Sequence, residues 1–98
     1  MTIERTVNGA AVTLKIIGRL DTATAPALEK EIDASVPGMQ ELVLDCGELE
    51  YVSSAGLRVI LKAQKQMNAQ GSMKLTTVSE TVMEVFDITG FADILNIE

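Results

Sequence analysis

The sequence predicts the α/β fold class: a single domain with a mixed β-sheet, an N-terminal hairpin and helices that follow βα crossovers. Strand-like and helix-like segments alternate along the whole chain, and no linker or low-complexity tract interrupts them. Leu42, Val43 and Leu44 are consecutive apolar residues, a pattern typical of a strand inside a parallel sheet. The 98 residues are 47% hydrophobic, which suits one compact domain over residues 1–98.

The first two strands are predicted as an antiparallel hairpin. Segments Thr2–Val7 and Ala11–Ile17 flank Asn8-Gly9, a dipeptide that accepts the positive φ angles of a tight turn. Apolar and polar residues alternate in the second segment, which is the period of a strand. The hairpin is therefore expected to form an antiparallel edge of the sheet.

The next two elements are a helix and a central strand. The segment Pro26–Val36 has apolar residues at helical spacing, and Pro26 suits a first turn, where its missing N–H is not needed. This helix is expected to end near Pro37-Gly38. The strand Glu41–Cys46 is predicted to be parallel to a neighbour and covered on both faces. Cys46, at its end, is expected to be a small, buried and unreactive side chain.

The remaining segments continue the alternation. The predicted elements are a helix over Ala55–Gln70, a short strand around Leu75, a helix capped by Ser79 and ended by Gly90, and a last apolar segment, Phe91–Ile97, that is either a strand or a helical turn.

Composition excludes several classes of function. The net charge of −6 opposes binding to nucleic acid or to an anionic membrane. One cysteine allows no intrachain disulfide, and the absence of histidine leaves little to bind zinc, so no metal or cofactor is expected. No signal peptide or membrane-crossing run is recognisable. We therefore expect a cytoplasmic protein with no membrane insertion and no small-molecule ligand.

Two loops are expected to meet at the carboxyl ends of the strands, where α/β sheets gather their functional groups. These are Gly18–Thr24 and Gly47–Ser54, so Asp21 and Ser54 are predicted neighbours. Ser54 has two readings from local chemistry: an N-cap of the following helix, or a hydroxyl that accepts a phosphate. Serine catalysis with a histidine base is impossible in a chain without histidine, and a lysine base is the one alternative that stays formally open. An enzyme is therefore not expected.

Four motifs occur in an order that resembles the STAS domain. They are Gly18-Arg19-Leu20-Asp21, Leu42-Val43-Leu44-Asp45, the turn from Tyr51 to Leu57, and the segment from Phe86 to Phe91. The resemblance covers nearly the whole chain. A free-standing domain of this size with a serine at the phosphoacceptor position looks like a bacterial anti-sigma factor antagonist.

The resemblance implies a partner-switching mechanism. The unphosphorylated antagonist would bind an anti-sigma factor that is also a serine kinase, and the sigma factor would be released. Phosphorylation with ATP bound to the kinase would break this contact, and a serine phosphatase would restore it. On this sequence Ser54 matches the phosphoacceptor, and Asp21, Ser53, Gly56 and Leu57 complete the implied partner-binding set.

The sequence also departs from the family pattern. Ser53 stands where many members have aspartate, and Ala55 stands where a second serine or threonine is common. The acceptor is therefore open between Ser53 and Ser54, although the distance to Gly56 favours Ser54. The alternative function is a STAS interaction subunit of a lipid-transport complex or a signalling scaffold, in which Ser54 would only cap its helix.

Overall fold

The computed structural model describes all residues 1–98, which form four strands, three α-helices and a 3₁₀ turn. In chain order these elements are β1 (Thr2–Asn8), β2 (Ala11–Leu20), α1 (Ala25–Ser35), β3 (Glu41–Val52), α2 (Ser54–Gln70), β4 (Ser72–Thr76), α3 (Glu80–Thr89) and the 3₁₀ turn Phe91–Asp93. The predicted α/β class is confirmed.

The four strands form one mixed sheet in the order β1-β2-β3-β4. β1 pairs antiparallel with β2, and Gly9 in the turn between them has φ +63°. β3 lies between β2 and β4 and is parallel to both. The predicted hairpin at one edge and the predicted parallel central strand are therefore both confirmed.

Strands β2 and β3 are longer than the sequence predicted. β2 continues to Leu20 and β3 continues to Val52, so the first three residues of the predicted loop Gly18–Thr24 and the first six of Gly47–Ser54 are strand. The pairing of β3 with β2 has two register shifts, and β3 contains an extra residue at each. Such bulges break the alternation of buried and exposed residues, which is why the second half of β3 does not look like a strand in the sequence.

The sheet is packed on one face only. The buried residues alternate along β2 and the first half of β3, and they join the inward faces of the helices in a single core of 23 hydrophobic residues. In β3, Leu42 and Leu44 are fully buried on the helix side, whereas Val43 is half-buried on the opposite face. The expectation that this strand is covered on both faces is therefore wrong.

The helix ends follow the sequence closely. Pro26 lies in the first turn of α1, which ends at Ser35. The Ser79 side chain caps α3 by accepting a hydrogen bond from the N–H of Val82 at 3.3 Å, and Gly90 ends this helix in the left-handed conformation. The last apolar segment is a 3₁₀ turn that continues to a parallel bridge between Leu75 and Ile97. None of the helices has the length and apolar composition needed to cross a bilayer.

One-sided packing predicts different costs for truncating adjacent residues of β3. Leu44→Ala should lower the free energy of unfolding by about 2–5 kcal/mol, because it leaves a cavity in the core. Val43→Ala should cost only about 1 kcal/mol, since that side chain is already partly in water. Urea denaturation of both variants measures the difference, and equal losses would mean that both faces are packed.

Candidate functional site

The candidate site lies where β2 and β3 end side by side. Leu20 pairs with Val52 at the last position of the parallel ladder. One residue later, the N–H of Ser53 donates a hydrogen bond to the carbonyl oxygen of Leu20 at 2.8 Å. The start of α2 is therefore joined directly to the end of β2, and Asp21 follows Leu20 at the same corner. The sheet thus brings the two predicted segments together, as the sequence indicated.

The two adjacent serines have different structural roles. Ser53 is the N-cap of α2, and its Oγ accepts a hydrogen bond from the N–H of Gly56 at 3.3 Å. Ser54 is the first helical residue, is exposed, and makes no side-chain hydrogen bond within the chain. The reading of Ser54 as the helix cap is therefore wrong, because the preceding serine already occupies that position. The Ser54 hydroxyl is left free at the positive end of the helix.

Gly56 is explained by packing inside the domain. A Cβ atom at this position would lie 2.6 Å from Cγ of Leu20 and 3.1 Å from its carbonyl oxygen. Only glycine lets the first turn of α2 come this close to the end of β2. Leu57, the next residue, is 5% exposed and belongs to the core. Both residues thus fix the position of the helix start, and neither offers a side chain to the surface.

Asp21 organises the turn that leads into α1. Its Oδ1 accepts hydrogen bonds from the N–H groups of Ala23 and Thr24 at 3.0 and 3.1 Å, and the N–H of Asp21 donates to Oγ1 of Thr24. The hydrogen bond from the Thr24 N–H is the main reason that the pKa of the Asp21 carboxyl lies below its usual value. Asp21 is therefore a helix-entry residue whose carboxylate is already engaged.

Arg19 and Tyr51 form a contact that sequence reasoning missed. They are paired across β2 and β3, and the guanidinium carbon of Arg19 lies 4.3 Å from the centre of the Tyr51 ring. Nε of Arg19 is also 3.9 Å from Oδ2 of Asp21. Both residues are inside motifs that the sequence singled out, but their pairing follows from the bulged register of β3, which the sequence did not reveal.

The helix that begins at the site is basic, although the protein is acidic. α2 contains Arg58, Lys62 and Lys65 and no aspartate or glutamate. Lys62 is paired with Glu29 of α1 at 3.0 Å. Arg58 is exposed in the second turn of α2, immediately beyond the candidate site. The exposed start of α2 therefore combines a free hydroxyl with a positive surface.

The site offers Ser54 no histidine and no hydrogen-bonded side chain as a partner. The chain has no histidine, and Ser54 has no side-chain hydrogen-bond partner that could take its proton. Cys46 is fully buried, and burial raises the pKa of its thiol to about 12. The prediction that Cys46 is a buried core residue is confirmed. The Ser54 hydroxyl is exposed at the start of the helix.

The different roles of the two serines can be tested by paired substitutions. Ser53→Ala should lower the free energy of unfolding by about 1 kcal/mol, because it leaves the N–H of Gly56 without its cap. Ser54→Ala should change it by less than about 0.5 kcal/mol, since it removes no contact within the chain. Thermal or urea unfolding measures both values. A larger loss for Ser54→Ala would reverse the assignment of the cap.

Comparisons with known proteins agree with this architecture. Over 79 residues the chain is 46% identical to BtrV of Bordetella bronchiseptica, which is provisionally named an anti-sigma factor antagonist; the match covers 79% of this chain and 68% of BtrV. It is 32% identical over 87 residues to the anti-sigma-B factor antagonist of Bacillus subtilis, covering 88% of this chain and 80% of that protein.

Solved structures share the fold at lower sequence identity. An anti-sigma factor antagonist from Mycobacterium paratuberculosis superposes with a TM-score of 0.89 at 22% identity, covering 98% of this chain and 83% of that one. Unphosphorylated SpoIIAA superposes with a TM-score of 0.77 at 17% identity, and the match covers 99% of this chain and 87% of SpoIIAA. The sequence model of the STAS domain matches residues 2–98. The chain therefore belongs to the STAS domain family.

Proposed function

We propose that this protein is an anti-sigma factor antagonist that binds an anti-sigma factor with serine kinase activity and thereby releases a sigma factor. Phosphorylation of Ser54 would end this binding, and a serine phosphatase would restore it. The names of two similar relatives support the general role. The observation that carries the residue assignment is that Ser54 is exposed and uncommitted, while its neighbour Ser53 caps the helix.

The chemistry of the switch is a transfer between two proteins. The γ-phosphoryl group of ATP, bound by the kinase, would pass to Oγ of Ser54, ADP would leave, and the hydroxyl proton would go to a base of the kinase. The antagonist needs no base of its own for this step. Its contribution is to present one hydroxyl on a helix start that is fixed by Gly56 and Leu20.

The position of Ser54 fits a modification that changes binding and preserves the fold. A phosphoserine carries about −1.5 to −2 charges at neutral pH, and the N-terminus of a helix favours an anion. No acidic residue lies in the first turn of α2 to repel it. In a packed interface the same dianion would be costly, because it must be desolvated unless a cation meets it. The domain would therefore tolerate a charge that the partner would not.

The other predicted site residues divide into two groups in this proposal. Ser53 and Asp21 are partly exposed at this corner and would help to form the contact with the kinase. Gly56 and Leu57 are buried, so they would act by holding the helix start in place. The Asp21 carboxylate accepts hydrogen bonds from its own turn. It would therefore present its negative charge to the partner without a change of conformation.

The proposal predicts a single phosphorylation site. Incubation with ATP and an anti-sigma factor kinase from the same organism should add one phosphate, detected by intact mass. Ser54→Ala should abolish the modification because the acceptor oxygen is gone. Ser53→Ala is the matched control and should still be modified, since it removes the cap and leaves the acceptor.

Two outcomes would contradict the proposal. Modification lost in Ser53→Ala and retained in Ser54→Ala would move the acceptor to the capping serine. Stable copurification with transporter subunits, unchanged in Ser54→Ala and without any phosphate, would favour the alternative of a constitutive STAS interaction subunit. The two readings differ in whether the hydroxyl at position 54 matters for binding.

A further inference from the structure

Arg58 lies one helical turn after Ser54 on α2, and both residues are exposed. In an α-helix the Cβ atoms of residues i and i+4 are about 5–6 Å apart. Helical side chains also lean towards the N-terminus of their helix, which directs Arg58 back over the turn that begins at Ser54. The guanidinium group can therefore reach an anion attached to Oγ of Ser54.

Arg58 has no acidic partner within the protein. The four ion pairs of the domain use Lys15, Arg19, Lys62 and Lys74. Arg58 takes part in none of them and makes no side-chain hydrogen bond, and α2 contains no carboxylate that could compete for it. Arg58 is therefore an unpaired guanidinium one helical turn from the exposed hydroxyl of Ser54.

Arg19 is the other cation close to this corner, but its charge is already compensated. Its guanidinium lies over the ring of Tyr51 at 4.3 Å, and its Nε is 3.9 Å from the Asp21 carboxylate. Moving Arg19 to a new anion would break both contacts. Arg58 can reach such an anion without breaking any contact.

We propose that Arg58 is the intramolecular counter-ion of a phosphate on Ser54. This rests on the proposed function, which assigns Ser54 as the acceptor. A guanidinium offers two parallel N–H donors to phosphate oxygens, a geometry that strengthens the pair beyond simple charge attraction. Phosphorylation would then change two surface groups at once, because it adds a dianion at position 54 and occupies the free cation at position 58.

The test uses phosphoserine introduced genetically at position 54, so that no kinase is required. The second ionisation of the phosphate is followed by ³¹P NMR against pH at about 0.1 M ionic strength, where the screening length is about 10 Å. A nearby cation favours the dianion and lowers this pKa, so Arg58→Gln should raise the titration midpoint by about 0.3 pH units. Lys65→Gln is the matched control. It makes the same charge change on the same helix face, but about 16 Å from position 54, and should leave the midpoint unchanged.

Equal midpoints in the parent, Arg58→Gln and Lys65→Gln proteins would overturn the proposal, as would a midpoint that moves with Arg19→Gln and not with Arg58→Gln. A thermal melt of each variant confirms that it is folded at the pH values used. The result is separable from that of the kinase assay. Failure of a kinase to modify Ser54 refutes the acceptor assignment, whereas a titration insensitive to Arg58 refutes only the counter-ion.

Discussion

The close contact between Gly56 and Leu20 is the constraint on which the geometry of the site depends. A Cβ atom at position 56 would overlap the Leu20 side chain, so the first turn of α2 packs directly on the end of β2. The hydrogen bond from the Ser53 N–H to the Leu20 carbonyl oxygen closes the same junction through the backbone. With the helix start fixed in this way, Ser53 turns inward to cap it and Ser54 faces solvent.

This closely packed junction gives a physical basis for a switch in which a change of charge alters binding. The helix cap does not involve the Ser54 hydroxyl, so a group added there removes no hydrogen bond of the fold. The helix dipole and the positive charge of α2 both favour an anion at this position. A docked partner would have to bury the same anion. The consequence of modification is therefore expected at the interface and not in the core.

Much of the fold could be predicted from the sequence because local signals agree with the tertiary structure. Asn8-Gly9 marks the hairpin, Pro26 marks the first turn of α1, and Ser79 and Gly90 mark the ends of α3. The strand ends could not be predicted, because the bulges of β3 interrupt its alternation. The sequence predicts a loop at Leu20, whereas in the structure this residue is the buried end of β2.

The sequence predicts which segments meet at the site, but it does not predict the contacts of the individual side chains. Sequence reasoning predicts that the segment after β2 meets the serine turn, but it assigns the helix cap to Ser54, whereas Ser53 is the cap in the structure. The stacking of Arg19 on Tyr51 and the packing of Gly56 on Leu20 depend on the register between strands that are far apart in the sequence. The role proposed for Arg58 depends on where α2 begins, which is one residue earlier than predicted.

The most direct test of the switch is the affinity of the candidate kinase for the protein with serine or phosphoserine at position 54, measured by calorimetry alongside a melting curve. The account predicts that phosphoserine weakens binding at least about tenfold, equivalent to about 1.4 kcal/mol, while the melting temperature stays within a few degrees. Equal affinity of the two forms, or a weaker affinity that is matched by unfolding of the domain, would contradict it.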